Sequence, residues 1–421
     1  MSIIYDPLHD CKMVGALRAL HGISDCMTII HGRNGCHCGA MLLETLGSEQ
    51  NSVRVLFSGL KSSDEVYSGE ERLASAIRLA DRTFGPRAVA VLNCSAPVIM
   101  GEDVEGLEML LEGEIEAELI AMDTGGPEGP AWLGYEEALS RLVSRMTINE
   151  GEPRNGINLL GFKADDFCSR GDLNEMKRML QDQDLHINCV ISCSDFQEME
   201  KAPQAELNVL LGGDGLECAK AMQERFDVPY ITVPYPYGLK KSLEFIEKIA
   251  EAVGKRANPQ VLEREKERTK KTVERAHMFF QGIYSTPVAV IGESGRAFDL
   301  AEFLSDELGM DVKLLAISSC NFVTSEKMDA IDAPNQKLMI EPDRHDMNQA
   351  LKDARVSLIF GSSFEKRVAS ELSASLVRVS YPVIDQISLS NLPYAGFFGI
   401  ASISESIINS ILNRNKDEVR A

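Results

Sequence analysis

Twelve short apolar runs alternate with helical stretches along this 421-residue chain, and that alternation restricts the fold more than any other feature. The runs lie at 26–32, 53–59, 88–94, 117–124, 156–162, 187–192, 206–212, 229–235, 287–293, 311–318, 356–362 and 376–383. Most are apolar at successive positions rather than at every second one. That pattern belongs to parallel strands covered by helices on both faces. Between them, 69–84, 173–184, 216–226 and 296–309 carry apolar residues at helical spacing. The chain is therefore expected to be α/β, with three Rossmann-like domains built on mainly parallel sheets. The grouping of the runs predicts a first domain at 1–150, a second at 151–258 and a third at 259–421. The third opens with a linking helix at 262–280, where Glu mixes with Lys and Arg at three- and four-residue spacings, as in a solvated or interdomain helix. The run 101–118 holds eight carboxylates and no basic residue, and reads as a solvated helix face.

Charge and composition narrow the function. A net charge of −21 disfavours nonspecific binding to nucleic acid or to an anionic membrane surface, which needs a basic face. There is no apolar run of eighteen residues and no basic stretch leading into an apolar core, so no membrane span or secretion signal is expected and the cytoplasm is the expected location. Ten cysteines in such a chain do not read as a disulfide framework. Cys168, Cys189, Cys193, Cys218 and Cys320 fit small apolar core residues.

Three other cysteines stand at strand ends or turns: Cys11 in DCKMVGAL, Cys36 in HGRNGCHCG and Cys94 in AVAVLNCSAPVIMGED. Ligands gather beyond the carboxyl ends of parallel strands, and thiolates are the usual holders of iron–sulfur clusters. Gly32 and Gly35 flank Cys36 and leave room for a cluster against the main chain, where N–H groups can donate to it. A zinc site would show close CxxC or CxxH pairs, whereas the one close pair here is Cys36 and Cys38. Spacing alone leaves open three unrelated buried thiols, a zinc site or an iron–sulfur cluster. His31 is a candidate proton donor beside such a cluster, or a structural hydrogen-bonder. No GxxxxGK[ST] loop occurs, so no ATP site is expected; GESG at 292–295 does not make a dinucleotide fingerprint, and HExxH and GxSxG are absent.

The stretch CKMVGALRALHGISDCMTIIHGRNGC resembles the nitrogenase component 1 family, particularly its β-type subunits. CSAPVIMGEDVEGL is similar to that family's third cysteine motif, with a turn one residue longer. GINLLGFKADDFCSRGDLNEMKRMLQDQDLHINCVIS resembles the start of its second domain, and LVRVSYPVIDQISLSNLPYAGFFGI the C-terminal signature of β-type subunits. The resemblance implies that Cys11, Cys36 and Cys94 are metal ligands of an iron–sulfur cluster, 4Fe-4S or 8Fe-7S, at a subunit interface. It implies a second component 1-like subunit, identical or α-type, and an ATP-hydrolysing reductase of the iron-protein type. Electrons would pass to a substrate or cofactor in the cleft among the three domains, in an anaerobic setting. A scaffold for assembling a complex metallocofactor is the alternative. The chain also departs from the α-type pattern: Gly212 stands where those subunits place the cofactor cysteine, and Ser380 and Tyr381 where they place the cofactor histidine. Cys218 lies six residues beyond Gly212 in a helical stretch and is a poor substitute. The resemblance assigns no role to Cys26, His37 or Cys38.

Overall fold

The computed structural model describes residues 11–37, 55–61, 69–125, 129–148, 154–322, 324, 327 and 336–420, with backbone alone at 34, 37 and 413–420. Cys38 lies outside the described residues. The expected α/β architecture is present as three sheets, and every strand pair in them is parallel. The first sheet has the order β2-β1-β3-β4, from β1 (Cys26–His31), β2 (Val55–Phe57), β3 (Ala88–Asn93) and β4 (Glu118–Met122). The second has the order β6-β5-β7-β8, from β5 (Ile157–Leu160), β6 (Ile187–Val190), β7 (Leu207–Leu211) and β8 (Tyr230–Val233). The third has the order β11-β10-β9-β12-β13, from β9 (Pro287–Glu293), β10 (Asp311–Ser319), β11 (Lys337–Ile340), β12 (Leu358–Gly361) and β13 (Ser375–Arg378).

Each of the twelve apolar runs overlaps one of these strands. β11 is additional; it has four residues at a sheet edge, none of them buried, so it lacks the continuous apolar signature of its neighbours.

β3 shows why the runs read as they do. Ala88, Ala90 and Leu92 pack with helices Lys12–Leu20 and Ala131–Val143, while Val89 and Val91 pack on the other face with Leu73 and Ile77 of helix Glu70–Phe84. Helices Lys12–Leu20 and Ala131–Val143 meet at a glycine contact. A Cβ on Gly15 would stand 1.7 Å from the Ala131 carbonyl oxygen, and one on Gly134 would stand 1.8 Å from that of Lys12. The backbones touch because neither residue has a side chain, and this holds the helix that begins after Cys11 flat against the first sheet.

Two helical expectations are corrected. The acidic run 101–118 is not one solvated helix: its helix spans Gly106–Leu110, between glycines of positive φ at Gly101 (73°) and Gly113 (79°). Several of its carboxylates are engaged, with Asp103 accepting from Gly106 N at 2.8 Å and Glu108 accepting from Ala121 N at 2.8 Å and from Arg145 Nη2 at 2.9 Å. The charged helix runs from Pro259 to Arg275 and a separate turn of helix follows at His277–Gln281. Asn258 caps the long one, accepting from Gln260 N and Val261 N, and Leu262, Glu265 and Thr269 are buried. It packs on helices Gly238–Ala252 and Gly396–Arg420, so it is not solvated on all sides.

The C-terminal helix Gly396–Arg420 packs on Ser169–Gln181, Gly238–Ala252 and Pro259–Arg275. Its Phe398 ring lies between Arg178 and Arg268, whose guanidinium carbons stand 4.3 and 3.8 Å from the ring centre. Just before it, Tyr394 N and Ala395 N donate to the buried Asp172 carboxylate at 2.6 and 2.9 Å. The end of the chain is thus tied to the second sheet's layer.

Candidate functional site

Cys11 and Cys94 each occupy the residue before a helix, Lys12–Leu20 and Ser95–Met100, in extended conformation. Neither sulfur caps its own helix. Cys36 sits in the short 3₁₀ turn Asn34–His37 beyond β1. Backbone bonds set the three positions: Cys11 O accepts from Gly15 N at 3.1 Å, Cys36 N donates to Arg33 O at 3.1 Å, and Cys94 N donates to His31 O at 2.8 Å. All three side chains border the same core, on the face of the first sheet that carries helices Lys12–Leu20 and Ala131–Val143.

The thiols interact. Hydrogen bonding with Cys94 draws the Cys36 thiol down to about 7, against the opposing effect of burial. The same bond raises Cys94 far above the usual thiol range, and burial, Cys36 and Cys11 push it the same way. Of the pair, Cys36 is the thiol that gives up its proton more readily. Cys94 is buried while Cys11 and Cys36 are half-buried. Gly32 makes the space: a Cβ there would lie 2.6 Å from both Cys94 Cβ and Cys94 Sγ. At Gly35 a Cβ would meet nothing within 4 Å, so that flank is open.

Among the described residues no group of three or more His, Cys, Asp or Glu side chains closes around a single metal ion. The three thiols fit one side of a shared cluster better than a self-contained ion site. Cys26 is separate, a buried strand residue whose thiol burial pushes up to about 12. Cys189 and Cys218 are core residues, and Cys168, Cys193 and Cys320 are half-buried. Burial raises all five thiols.

His31 is fully buried, and strand alternation puts its ring on the sheet face opposite the thiols. Its Nε2 lies 2.6 Å from Glu102 Oε2 and its Nδ1 2.8 Å from Ser58 Oγ, while Glu102 Oε1 accepts from Gly69 N at 2.5 Å. The Glu102 carboxylate faces Nε2 and the Ser58 hydroxyl faces Nδ1, so the ring is held from both sides. This chain ties together the ends of β1 and β2, the 101–105 loop and the start of helix Glu70–Phe84. Beside it Asn93 Oδ1 accepts from Thr124 N and Gly125 N at 2.7 and 3.0 Å.

The second notable place is the seam where the three sheets' layers meet. Arg18, from the helix that follows Cys11, reaches Asp165 Oδ2 at 2.6 Å, Asp166 Oδ1 at 3.1 Å and Glu293 Oε1. Lys163 Nζ bridges Asp214 Oδ2 at 2.7 Å and Glu293 Oε2. Arg296 Nη2 lies 3.0 Å from Asp166 Oδ2 and donates to Tyr235 OH, which donates to Asp172 Oδ2 at 2.7 Å. The Tyr381 ring covers Arg18 at 3.9 Å. Burial opposes the Glu293 charge, but Arg18 and Lys163 outweigh it and hold that carboxyl well below the usual range. At Asp166 burial wins over Arg296 and Arg18 and pushes the carboxyl up to about 6, with Glu293 and Asp165 adding to the rise.

Gly212, with φ +61°, lies against this seam. A Cβ there would stand 2.0 Å from Gly295 O, and Asn321 Nδ2 donates to Gly212 O at 2.9 Å. Ser380 and Tyr381 line a cavity of about 10 Å³ with Asp166, Glu293 and Arg296, room for about one water molecule. The expected interdomain cleft is, in this chain, filled by its own ion pairs. Sequence reasoning missed that network. Its signal was present as charges set directly behind apolar strands, in KADD after β5 and in GESGR at the end of β9, but linear sequence does not say that these loops face one another.

A model of the family described as nitrogenase component 1 type oxidoreductase matches residues 11–412. The nitrogenase iron-iron protein beta chain of Rhodobacter capsulatus is 23% identical over 441 aligned residues, covering 96% of this chain and 93% of that one. The nitrogenase molybdenum-iron protein beta chain of Clostridium pasteurianum is 23% identical, covering 98% and 94%. A solved structure titled nitrogenase Cp1 at pH 6.5 superposes with a TM-score of 0.86 at 22% identity, over 99% of this chain and 95% of that one.

Proposed function

Because this chain belongs to the nitrogenase component 1 type oxidoreductase family, we propose that it is a β-type subunit holding one half of an interfacial iron–sulfur cluster. Cys11, Cys36 and Cys94 are its ligands, and Gly35 lines the open flank. A second component 1-like subunit, identical or α-type, supplies the other half. The cluster, 4Fe-4S or 8Fe-7S, would supply one-electron storage at low potential. An iron-protein-type ATPase reductase is the electron source, and the complex works in the cytoplasm under anaerobic conditions.

The observation that carries this reading is that three thiols, one before a helix and two beyond the ends of β1 and β3, border one face, with Cys11 and Cys36 left half exposed. A self-contained site would be sealed by its own chain; half a site is not. The helices after Cys94 also leave Ile99, Met109 and Leu110 at 80%, 78% and 63% exposure, apolar surface that an adjoining subunit would cover. Within the chain, Cys36 offers a thiolate near neutral pH, Gly32 keeps the main chain clear of Cys94, and the His31–Glu102 pair fixes the strand end on which Cys94 hangs.

The loops at the seam are taken up by the chain's own ion pairs around a small cavity, which supports placing the electron acceptor in the partner subunit. The same sealed seam supports a second reading, a scaffold subunit whose partner carries a metallocofactor in assembly. A purified complex that hands its metal to an apo-enzyme but turns over no substrate with its reductase would favour the scaffold.

The test is anaerobic purification of the complex with iron and sulfide analysis and EPR. Iron and sulfide should co-purify, with an EPR signal on reduction or oxidation that is lost in Cys36→Ala. An iron-free wild type, or an unaltered spectrum in the variant, would sink the cluster reading.

A further inference from the structure

We propose that Asp166 is a redox-linked protonation site, whose occupancy by a proton from water rises when an electron is gained at the thiolate edge of the first sheet. The proposal rests on the cluster reading above and adds a residue and a role to it.

The geometry of the seam calls for a proton. Three cations, Arg18, Lys163 and Arg296, are in contact with four carboxylates, Asp165, Asp166, Asp214 and Glu293. Asp165 and Asp166 are buried, and the other two lie partly buried against Lys163. One negative charge is in excess. Asp214 and Glu293 share Lys163, and Glu293 also has Arg18. Asp165 has Arg18 at 2.6 Å. Asp165 Oδ1 and Asp166 Oδ2 are both buried without a hydrogen-bond partner, Asp166 Oδ2 standing 3.0 Å from Arg296 Nη2 without lining up with an N–H; of the two, Asp166 borders the cavity that has room for about one water. Burial raises its carboxyl into the range where it titrates under working conditions. The other titratable groups around it are Tyr235, Tyr237 and Tyr381, whose phenols are all raised and stay protonated, and Asp172, held by Tyr235 OH, Tyr394 N and Ala395 N.

The coupling path is short. Arg18 is seven residues beyond Cys11 on one straight helix, about 10 Å at 1.5 Å per residue. An electron added at about 12 Å from Asp166 raises its proton affinity by about one pH unit at the effective dielectric of a protein interior. The step balances: one electron enters from the reductase, one proton moves from water to Asp166 Oδ2, and no covalent bond other than the new O–H changes. The seven groups in direct ionic contact then carry three positive and three negative charges.

The test uses the intact complex, with the midpoint potential of its EPR signal followed from pH 5.5 to 8 and dithionite as reductant. The wild type should show a potential that falls as pH rises, and reduction should add a protonated-carboxyl C=O band to the infrared difference spectrum. Asp166→Asn, which mimics the protonated state and balances the seam, should fold, flatten the pH dependence and lose the band. Asp166→Glu should keep both. A pH-independent potential in an iron-loaded wild type, or a band that survives in Asp166→Asn, overturns the proposal alone. An iron-free wild type overturns the cluster reading and this inference together.

Discussion

At the outer edge of the first sheet, Cys11 and Cys36 remain half-buried, Gly35 faces open space and large apolar side chains stand in solvent. At the seam between the sheets, Gly212 is jammed against Gly295 and the strand-end loops are filled by interlocking ion pairs. Both places lie beyond the carboxyl ends of parallel strands, where α/β proteins bind ligands. One is unfinished and the other is closed. A fold with several equivalent loop clusters can dedicate one to a shared group and use another as the lock that holds its domains together.

The sharpest way to break this contrast is to open the lock. Arg18→Met leaves four carboxylates facing two cations, and a buried ion pair that loses one partner costs about 3–5 kcal/mol. Denaturant unfolding should register that loss, and a change below about 1 kcal/mol would mean that the seam is not a lock. Gly212→Cys comes next. Its Cβ would meet Gly295 O at 2.0 Å, at a positive φ that disfavours any side chain, so it should lose about 3 kcal/mol and gain no metal. A stable variant with extra bound iron would show that the seam can be reopened as a ligand site.

The acidity of Glu136 tests the same idea of self-sufficiency at smaller scale. It accepts from Gly215 N and Glu217 N, and burial with nearby Asp214 pushes it up to about 7 against those bonds. A carboxyl raised in the folded state binds its proton more tightly there than in the unfolded chain. Stability from this group therefore rises as pH falls from about 7 towards 4.5, and is lost as pH climbs back through that window. Glu136→Gln should flatten the slope by about 1–2 kcal/mol across the window, measured by thermal unfolding at several pH values.

The finest comparison is between two glycines of one turn. Gly32→Ala drives a Cβ into Cys94 Sγ at 2.6 Å and should cost about 1–3 kcal/mol and lower iron content. Gly35→Ala meets nothing within 4 Å among the described residues and should change stability by less than about 0.5 kcal/mol. Iron lost from Gly35→Ala without loss of stability would place the bound group against that residue.

Much of this was legible in the linear chain. Strands such as 88–93 and 207–211 are buried on both faces, so their sequences are apolar throughout and announce a parallel sheet. β11 escaped notice because a short edge strand carries no such constraint. The acidic run misled because charge content alone does not reveal that Gly101 and Gly113 break the helix or that Glu108 turns inward to Ala121. Cys11, Cys36 and Cys94 were legible as candidates because each sits in a glycine- or helix-start context that a mid-strand cysteine such as Cys189 lacks.

The sequence by itself determined the strand and helix order, the parallel sheets, the family and the three ordered thiols, because periodicity, glycine placement and motif spacing are local properties of the chain. Tertiary structure alone decided that the thiols share one face while His31 lies on the other. It alone decided that Arg18, Asp166 and Glu293, up to 275 residues apart, close the seam. Those outcomes depend on which loops meet across the sheets, and burial and the balance of charge in a shared space exist only after they have met.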